Sequence, residues 1–261
     1  MNFEEIGPII AKIHKKDDDK KKVIINVSAA PLQLQDEISI VDEITTPKDE
    51  LMQHMPYKDE KNGNNRQVLY ISGASGSGKS YYVAQYLKEY LKMFPKNLIY
   101  IFSSLETDKT LDELHKTRIK RIKLNEKFLE TPLQIEMFTD CLVLYDDTEM
   151  ITNPALAEKL GALKALIMTT GRHTGTFYIE TSHLANGFKN RLILAEAHSI
   201  TLFLISMGAG TLFRFLENAF GFNTKQIRRI QNIKSRWITL FRTQPITVMH
   251  EHGAMHIHNR E

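Results

Sequence analysis

A three-layer α/β sandwich with a mainly parallel central sheet is the fold predicted by this sequence of 261 residues, and three observations carry it. Gly73-Ala74-Ser75-Gly76-Ser77-Gly78-Lys79-Ser80 fits the phosphate-binding template G-x-x-x-x-G-K-[ST] at every fixed position. The apolar run Val68-Leu69-Tyr70-Ile71 precedes it, and Val83, Tyr86, Leu87, Tyr90 and Leu91 follow at helical spacing until Pro95. Strand, loop and helix is the context such a motif needs, because backbone N–H groups and a helix N-terminus must converge on an anion without side chains in the way. Third, from Gln67 onward apolar runs of the kind a buried parallel sheet produces alternate with helical patterns.

In order, strands are expected at 67–72, Asn97–Ser103, Arg118–Leu124, Cys141–Tyr145, Thr176–Thr181 and Ser199–Ile205. Between them, Asn153-Pro154 supplies an N-cap and a first-turn proline for a helix with Leu156, Leu160, Leu163 and Ile167 on one face. Leu212, Phe213, Leu216 and Phe220 repeat the pattern up to Gly221, and Asn223 with Gln226 forms a capping box for a short helix through Ile230. Trp237–Phe241 adds a late strand. Residues 1–66 read as an N-terminal extension: a mixed charge run Lys15–Lys22, a short strand Val23–Val27, and a polar connection whose Lys58–Arg66 part is an exposed loop. The expected division is therefore extension 1–66, phosphate-loop domain 67–244, and a polar, His-rich tail 245–261.

With 42% hydrophobic and 25% charged residues, the composition suits a soluble chain that buries a full core. The single Cys141, in an apolar run, excludes an internal disulfide and reads as an inert buried thiol in a reducing compartment. No secretory signal pattern appears at the start, and the uncharged stretch Ala197–Phe213 is too short and polar to span a bilayer. A net charge of +3 does not by itself point to nucleic acid. Two basic segments could track a phosphate backbone: Lys116, Arg118, Lys120, Arg121 and Lys123, and the stretch from Gly221 on, with seven bases against two acids. Each could equally be a solvated face.

The chemistry gathers around the loop. Lys79 is placed to reach the β- and γ-phosphates, and the Ser80 hydroxyl to take one position on Mg²⁺. Cys141–Tyr145 runs into Asp146-Asp147, where the first acid suits the Mg²⁺ shell and the second the attacking water. A kinase has no need of the second acid for water, so the pair favours hydrolysis. Strand Thr176–Thr181 runs into Ser182-His183, which sets His183 to sense a γ-phosphate, although a surface histidine would read the same way. Arg172 and Arg191 lie in loops where an arginine could serve a neighbouring subunit's site, or simply face solvent or nucleic acid. His250, His252, His256 and His258 form two H-x-H pairs that a strand would set on one face, as a metal site needs, with a polar tail as the plainer reading.

Taken together, the loop Gly73–Ser80, the double-acid strand, the Gly171-Arg172-His173 loop, the strand ending at His183 and Asn190-Arg191 resemble the DNA-packaging ATPases of large double-stranded DNA viruses. These form the poxvirus-type branch of the FtsK–HerA superfamily of P-loop NTPases, and the likeness covers roughly residues 67–240. It implies a RecA-like core of the ASCE type and an ATP-driven ring of subunits that threads duplex DNA into a preformed capsid. The implied partners are double-stranded DNA and a capsid or portal vertex protein, in the host cytoplasm, viral factory or virion. Carried over by position, Gly73, Ala74, Ser75, Gly76, Ser77, Gly78, Lys79, Ser80 and Tyr81 contact ATP, while Ser80 and Asp146 hold Mg²⁺. Asp147 polarises water, and Arg172 or Arg191 acts as the finger. One departure stands out: the family usually has glutamine where this chain has His183, whose imidazole still offers a donor. Two other readings stay open, a small-molecule phosphoryl transferase on the same loop and a nucleotide-dependent switch or scaffold with little turnover.

Overall fold

The structure, a computed structural model, describes residues 1–15, 25–29, 40–58, 65–105, 107–114, 117–183 and 191–258. Its frame follows from apolar strands buried on both faces. In β5 (Val68–Ser72), Val68 and Tyr70 enter one core while Leu69 and Ile71 enter the other. In β8 (Cys141–Asp146), Val143 and Tyr145 divide from Leu142 and Leu144 in the same way. A period of two with both sets apolar requires cover on both sides, which gives the three layers.

Six strands are parallel, in the order β10 (Ser199–Phe203), β5, β9 (Phe177–Ser182), β8, β6 (Leu98–Ser103) and β7 (Ile119–Lys123). Helix α1 (Lys79–Met93) covers one face through Val83, Leu87 and Tyr90, joined by α2 (Lys109–Asp112) through Leu111. The other face takes α3 (Glu126–Glu130), α4 (Pro154–Thr170), α5 (Arg191–Glu196), α6 (Ala209–Phe220) and α7 (Thr224–Gln231). Asn153 caps α4 through the N–H groups of Ala155 and Leu156, and Asn223 with Gln226 closes the capping box of α7. The expected parallel core is thus present, with boundaries shifted by one or two residues.

The expectation of a polar tail at 245–261 is corrected. Ile246–His250 (β12) and Gly253–Ile257 (β13) form an antiparallel hairpin beside β11 (Trp237–Phe241) in the main sheet. Val248, Met255 and Ile257 bury in one core and Met249 and Ala254 in the other. The apolar residues of each strand are few and interrupted, by Thr247 in β12 and His256 in β13, so their burial is legible only once β11 is in place. Residues 1–66 are also more than an extension. β3 (Glu43–Thr45) pairs with β13 and becomes the edge of the ten-stranded sheet. β1 (Ile9–Lys15), β2 (Ile25–Ser28) and β4 (Glu50–His54) form a second sheet in the order β2-β1-β4, which packs with α1. A buried ion pair, Lys12 to Glu89 at 2.7 Å, fixes that contact. Residues 16–22 of the charge run, 23–24 of the first expected strand and 59–64 of the expected loop lie outside the described residues.

Two imidazoles are built into this frame in neutral form. His54 Nε2 accepts from the Gln67 side-chain amide at 2.9 Å, and its Nδ1 lies 2.8 Å from the Tyr82 hydroxyl. His198 Nδ1 accepts from the Val68 N–H at 2.9 Å. Burial lowers His54 to about 3 and His198 to about 4. The unfolded chain therefore binds these protons first, and stability falls as pH drops below the unfolded value near 6.5. Each histidine is expected to remove about 2 kcal/mol between pH 7 and 5. Urea unfolding at both pH values tests this: His54→Gln should flatten the dependence by about half, and equal stability at pH 7 and 5 in the parent chain would contradict it.

Candidate functional site

The phosphate loop joins the end of β5 to α1. Gly78, at φ 106°, ends it in a left-handed conformation, so that the first-turn N–H groups of α1 face the loop. At Gly73 the constraint is space: a Cβ would lie 2.8 Å from Phe203 Cβ and 2.7 Å from Ser77 Oγ. Lys79 is buried and donates to the carbonyls of Gly73 at 2.8 Å and Ala74 at 3.4 Å. Ala74, Ser75 and Gly76 are exposed, Ser77 and Ser80 are half-buried, and Tyr81 is exposed. Ser77 Oγ is buried without a hydrogen-bond partner.

Strand β9 lies between β5 and β8, and this order assembles the rest. The Gly73 N–H donates to the carbonyl of Ser182 at 3.1 Å, tying loop and strand end together. Thr181 Oγ1 donates to Asp146 Oδ1 at 2.9 Å, accepts from the Asp147 N–H at 2.9 Å, and lies 3.3 Å from Asp147 Oδ1. Successive side chains of an extended strand point to opposite faces. Here Asp147 adopts φ 46°, which turns its carboxylate to the side of Asp146 so that both meet one hydroxyl. Glu149, in a short 3₁₀ turn, accepts from Ser182 Oγ at 2.5 Å and from the His183 N–H at 2.6 Å.

Three side chains from three elements then converge. Lys79 Nζ is 3.9 Å from Asp147 Oδ1 and 3.4 Å from His183 Nδ1, and His183 Nε2 is 3.2 Å from Asp147 Oδ2. Burial raises the Asp146 carboxyl above its usual value, opposed by the Thr181 hydrogen bond and reinforced by the Asp147 charge. A carboxylate destabilised in this way gains from a cation at its open side. With the Ser80 hydroxyl at the start of α1, it is an oxygen donor set that suits Mg²⁺. Beside the loop, a cavity of about 290 Å³ is lined by Gly78, Tyr81, Gln85, Arg236, Trp237 and Glu251.

Other expected site residues lie elsewhere. Arg172 occupies the turn before β9, at the opposite end of that strand from His183, about 20 Å away by strand rise. Arg191 opens α5, and residues 184–190, with Asn190 of the quoted motif, lie outside the described residues. Much of the basic character is committed to structure. Arg118 donates to the carbonyls of Leu91, Phe94 and Asn97 at the end of α1, Arg121 pairs with Asp112 at 2.6 Å, and Arg236 pairs with Glu251 at 2.6 Å. Arg229 pairs with Glu43, and Arg242 donates to the Leu194 carbonyl. Lys225, Arg228 and Lys234 are exposed, while Lys116 and Arg260 lie outside the described residues. Cys141 is buried, its thiol pushed up to about 12 by burial, which suits an inert group. Sequence reasoning missed Thr181, Glu149, Phe203 and the Arg236-Trp237 wall. Only Thr181 left a signal, a hydroxyl residue at the end of the strand before His183.

No protein-family model matches the chain. "Uncharacterized protein V3" of Sputnik virophage is 41% identical over 192 residues, which cover 72% of this chain and 76% of that protein. Among solved structures, the cytoplasmic domain of the type VII secretion ATPase EccC from Thermomonospora curvata aligns with a TM-score of 0.51 and 14% identity, over 80% of this chain and 28% of that chain. That alignment shows a shared fold. The genome packaging NTPase B204 from Sulfolobus turreted icosahedral virus 2, in complex with AMP, aligns with a TM-score of 0.47 and 17% identity, over 72% of this chain and 96% of that chain.

The close approach at Gly73 makes a prediction. Gly73→Ala should destabilise the fold by about 1–3 kcal/mol, because the Phe203 side chain and the β10 backbone behind it must move. A double-mutant cycle with Phe203→Gly, which removes the Cβ that the new methyl meets, read by urea unfolding, should show coupling of about 1 kcal/mol or more, and additivity would refute the steric account.

Proposed function

Because the chain belongs to the family of protein V3 of Sputnik virophage and carries this loop and acid pair, we propose that it is an ATP-hydrolysing motor that moves double-stranded viral DNA into a capsid. The observation that supports the reading best is the meeting of Lys79, Asp147 and His183 within 3.2–3.9 Å of one another at the ends of three elements. Kinship with a virophage protein and the motif set shared with viral packaging ATPases favour DNA over a small acceptor as the partner.

In this reading the loop N–H groups and Lys79 hold the phosphates of ATP, with the carbonyls of Gly73 and Ala74 keeping the ammonium aimed into the loop. Ser80 and Asp146 would hold Mg²⁺, which when bound would neutralise charge on the phosphates. Asp147 accepts a hydrogen bond from the attacking water and orients it. His183 reports the state of the γ-phosphate to β9, since its own N–H is held by Glu149. The cavity beside Tyr81 and Arg236 takes the base and ribose. Within one subunit Arg172 is too far from the loop to touch phosphate, so a catalytic role for it is exercised on a neighbour in a ring; Arg191, at the start of α5, is the other candidate finger. Exposed Lys225, Arg228 and Lys234 offer charge to a DNA backbone, and a capsid vertex protein is the remaining partner of the proposal.

Lys79→Ala should abolish ATP binding or turnover, whereas Asp147→Asn should retain binding and stop hydrolysis. Duplex DNA should stimulate turnover by the parent chain, with the oligomer mass measured alongside and the stimulation lost steeply with added salt. Indifference to DNA together with stimulation by a small acceptor would replace the motor by a phosphoryl transferase.

Mixing experiments address the finger. Arg172→Ala or Arg191→Ala subunits mixed with Asp147→Asn subunits should recover part of the turnover for the residue that acts in trans, where the pure arginine variant loses up to about 10³–10⁵-fold. Failure of both mixtures would exclude a shared site.

A further inference from the structure

The second H-x-H pair is not used by the nucleotide site, and the sheet gives it a third partner. β13 pairs with β3 in the register Gly253 to Thr45, Ala254 to Ile44 and Met255 to Glu43, so the next step sets His256 opposite Asp42. The His256 N–H donates to the Asp42 carbonyl at 2.8 Å, which carries the ladder one residue further. His258, two residues on, projects from the same face and is the diagonal neighbour of Asp42. His256 Nδ1 lies 3.1 Å and His258 Nε2 3.3 Å from the same carboxylate oxygen, and the three ligand atoms fall within 4.8 Å of one another. The other ring nitrogen of His256 faces the Met1 α-amino nitrogen at 3.1 Å, so Nδ1 is the one turned to the carboxylate, and ligation through Nδ1 requires the Nε2 N–H to donate to that amine.

Tetrahedral bonds of about 2.0–2.2 Å to nitrogen and oxygen place neighbouring ligand atoms about 3.3–3.6 Å apart. The two short distances here lie close to that edge length. A cavity of about 230 Å³, lined by Asp42, Thr243, Thr247, His256 and His258 among others, borders the cluster and leaves room for water as a further ligand. Among the described residues this is the one group of histidines, cysteines and acids with metal-ligand proximity; His250 and His252 gain no such carboxylate.

We propose that Asp42, His256 and His258 bind a borderline-soft divalent cation of the zinc class, with solvent completing the shell. The ion joins the N-terminal segment to the last strand of the sheet. Its structural value is clear from β3, which has only three residues and forms the sheet edge on few ladder bonds.

The test uses the full untagged chain, titrated with Zn²⁺ by calorimetry in Mg²⁺-containing buffer, and with Co²⁺ read by visible absorption. One Zn²⁺ per chain is expected, with a raised thermal midpoint and an intense tetrahedral-type Co²⁺ band. Asp42→Asn and His258→Ala, both at solvent-accessible side chains, should each weaken binding by more than the about 10–100-fold typical of losing an outer-shell contact. His252→Ala should leave it unchanged. Circular dichroism verifies that each variant is folded. Absence of Zn²⁺ binding by the parent chain, equal binding by the Asp42 and His258 variants, or loss on His252→Ala would each overturn the site. None of these readings depends on ATP turnover.

Discussion

One hydroxyl group holds the candidate site together. Thr181, near the end of a strand enclosed on both sides, bridges the two carboxylates of the neighbouring strand and takes the Asp147 N–H as well. A central parallel strand cannot slip by one residue without sending every side chain to the wrong face. The pairings of Ser72 with Ser182 and of Tyr145 with Glu180 therefore fix loop, acids and His183 relative to one another. The left-handed turn at Asp147 costs about 1–3 kcal/mol for a residue with a side chain, offset in part by its hydrogen bond to Thr181. The result is two acids on one side of the sheet where a regular strand would separate them.

Charge is distributed around that bridge in an order that suits an anionic ligand with a cation. Lys79 is buried among carbonyls and close to one carboxylate, so its charge is compensated without being neutralised. Asp146 is the group left in deficit, since burial disfavours its ionised form and the Thr181 hydrogen bond, with a smaller attraction from Arg121, offsets this only in part. The imidazole of His183 stands between Lys79 and Asp147.

The periphery is coupled to the centre by chain segments far apart in sequence. β1 docks on α1 through the Lys12 and Glu89 pair, and the Met52 N–H of β4 donates to the carbonyl of Glu251 in the β12–β13 turn. Glu251 in turn grips Arg236 at the wall of the cavity beside the loop. The N-terminal residues and the final hairpin therefore shape the phosphate-loop end of the molecule, although neither contains a phosphate-binding motif.

Local sequence determined the phosphate loop, the parallel core and the identity of its main chemical groups. Gly73 to Ser80, the run into Asp146-Asp147 and the strand into His183 each carry their meaning within a few residues, because backbone access, apolar alternation and helix capping are short-range effects. Tertiary structure decided what depended on strand order and register. Thr181 and Glu149 acquire roles only when β9 is inserted between β5 and β8; Arg118 is drawn into the end of α1 and the exposed Arg236 is paired only when their carbonyl and carboxylate partners arrive. The histidines of the last strands could not be told from a polar tail, since the carboxylate and the apolar cover that surround them come from residues about two hundred positions earlier and from a strand pairing that no local pattern encodes.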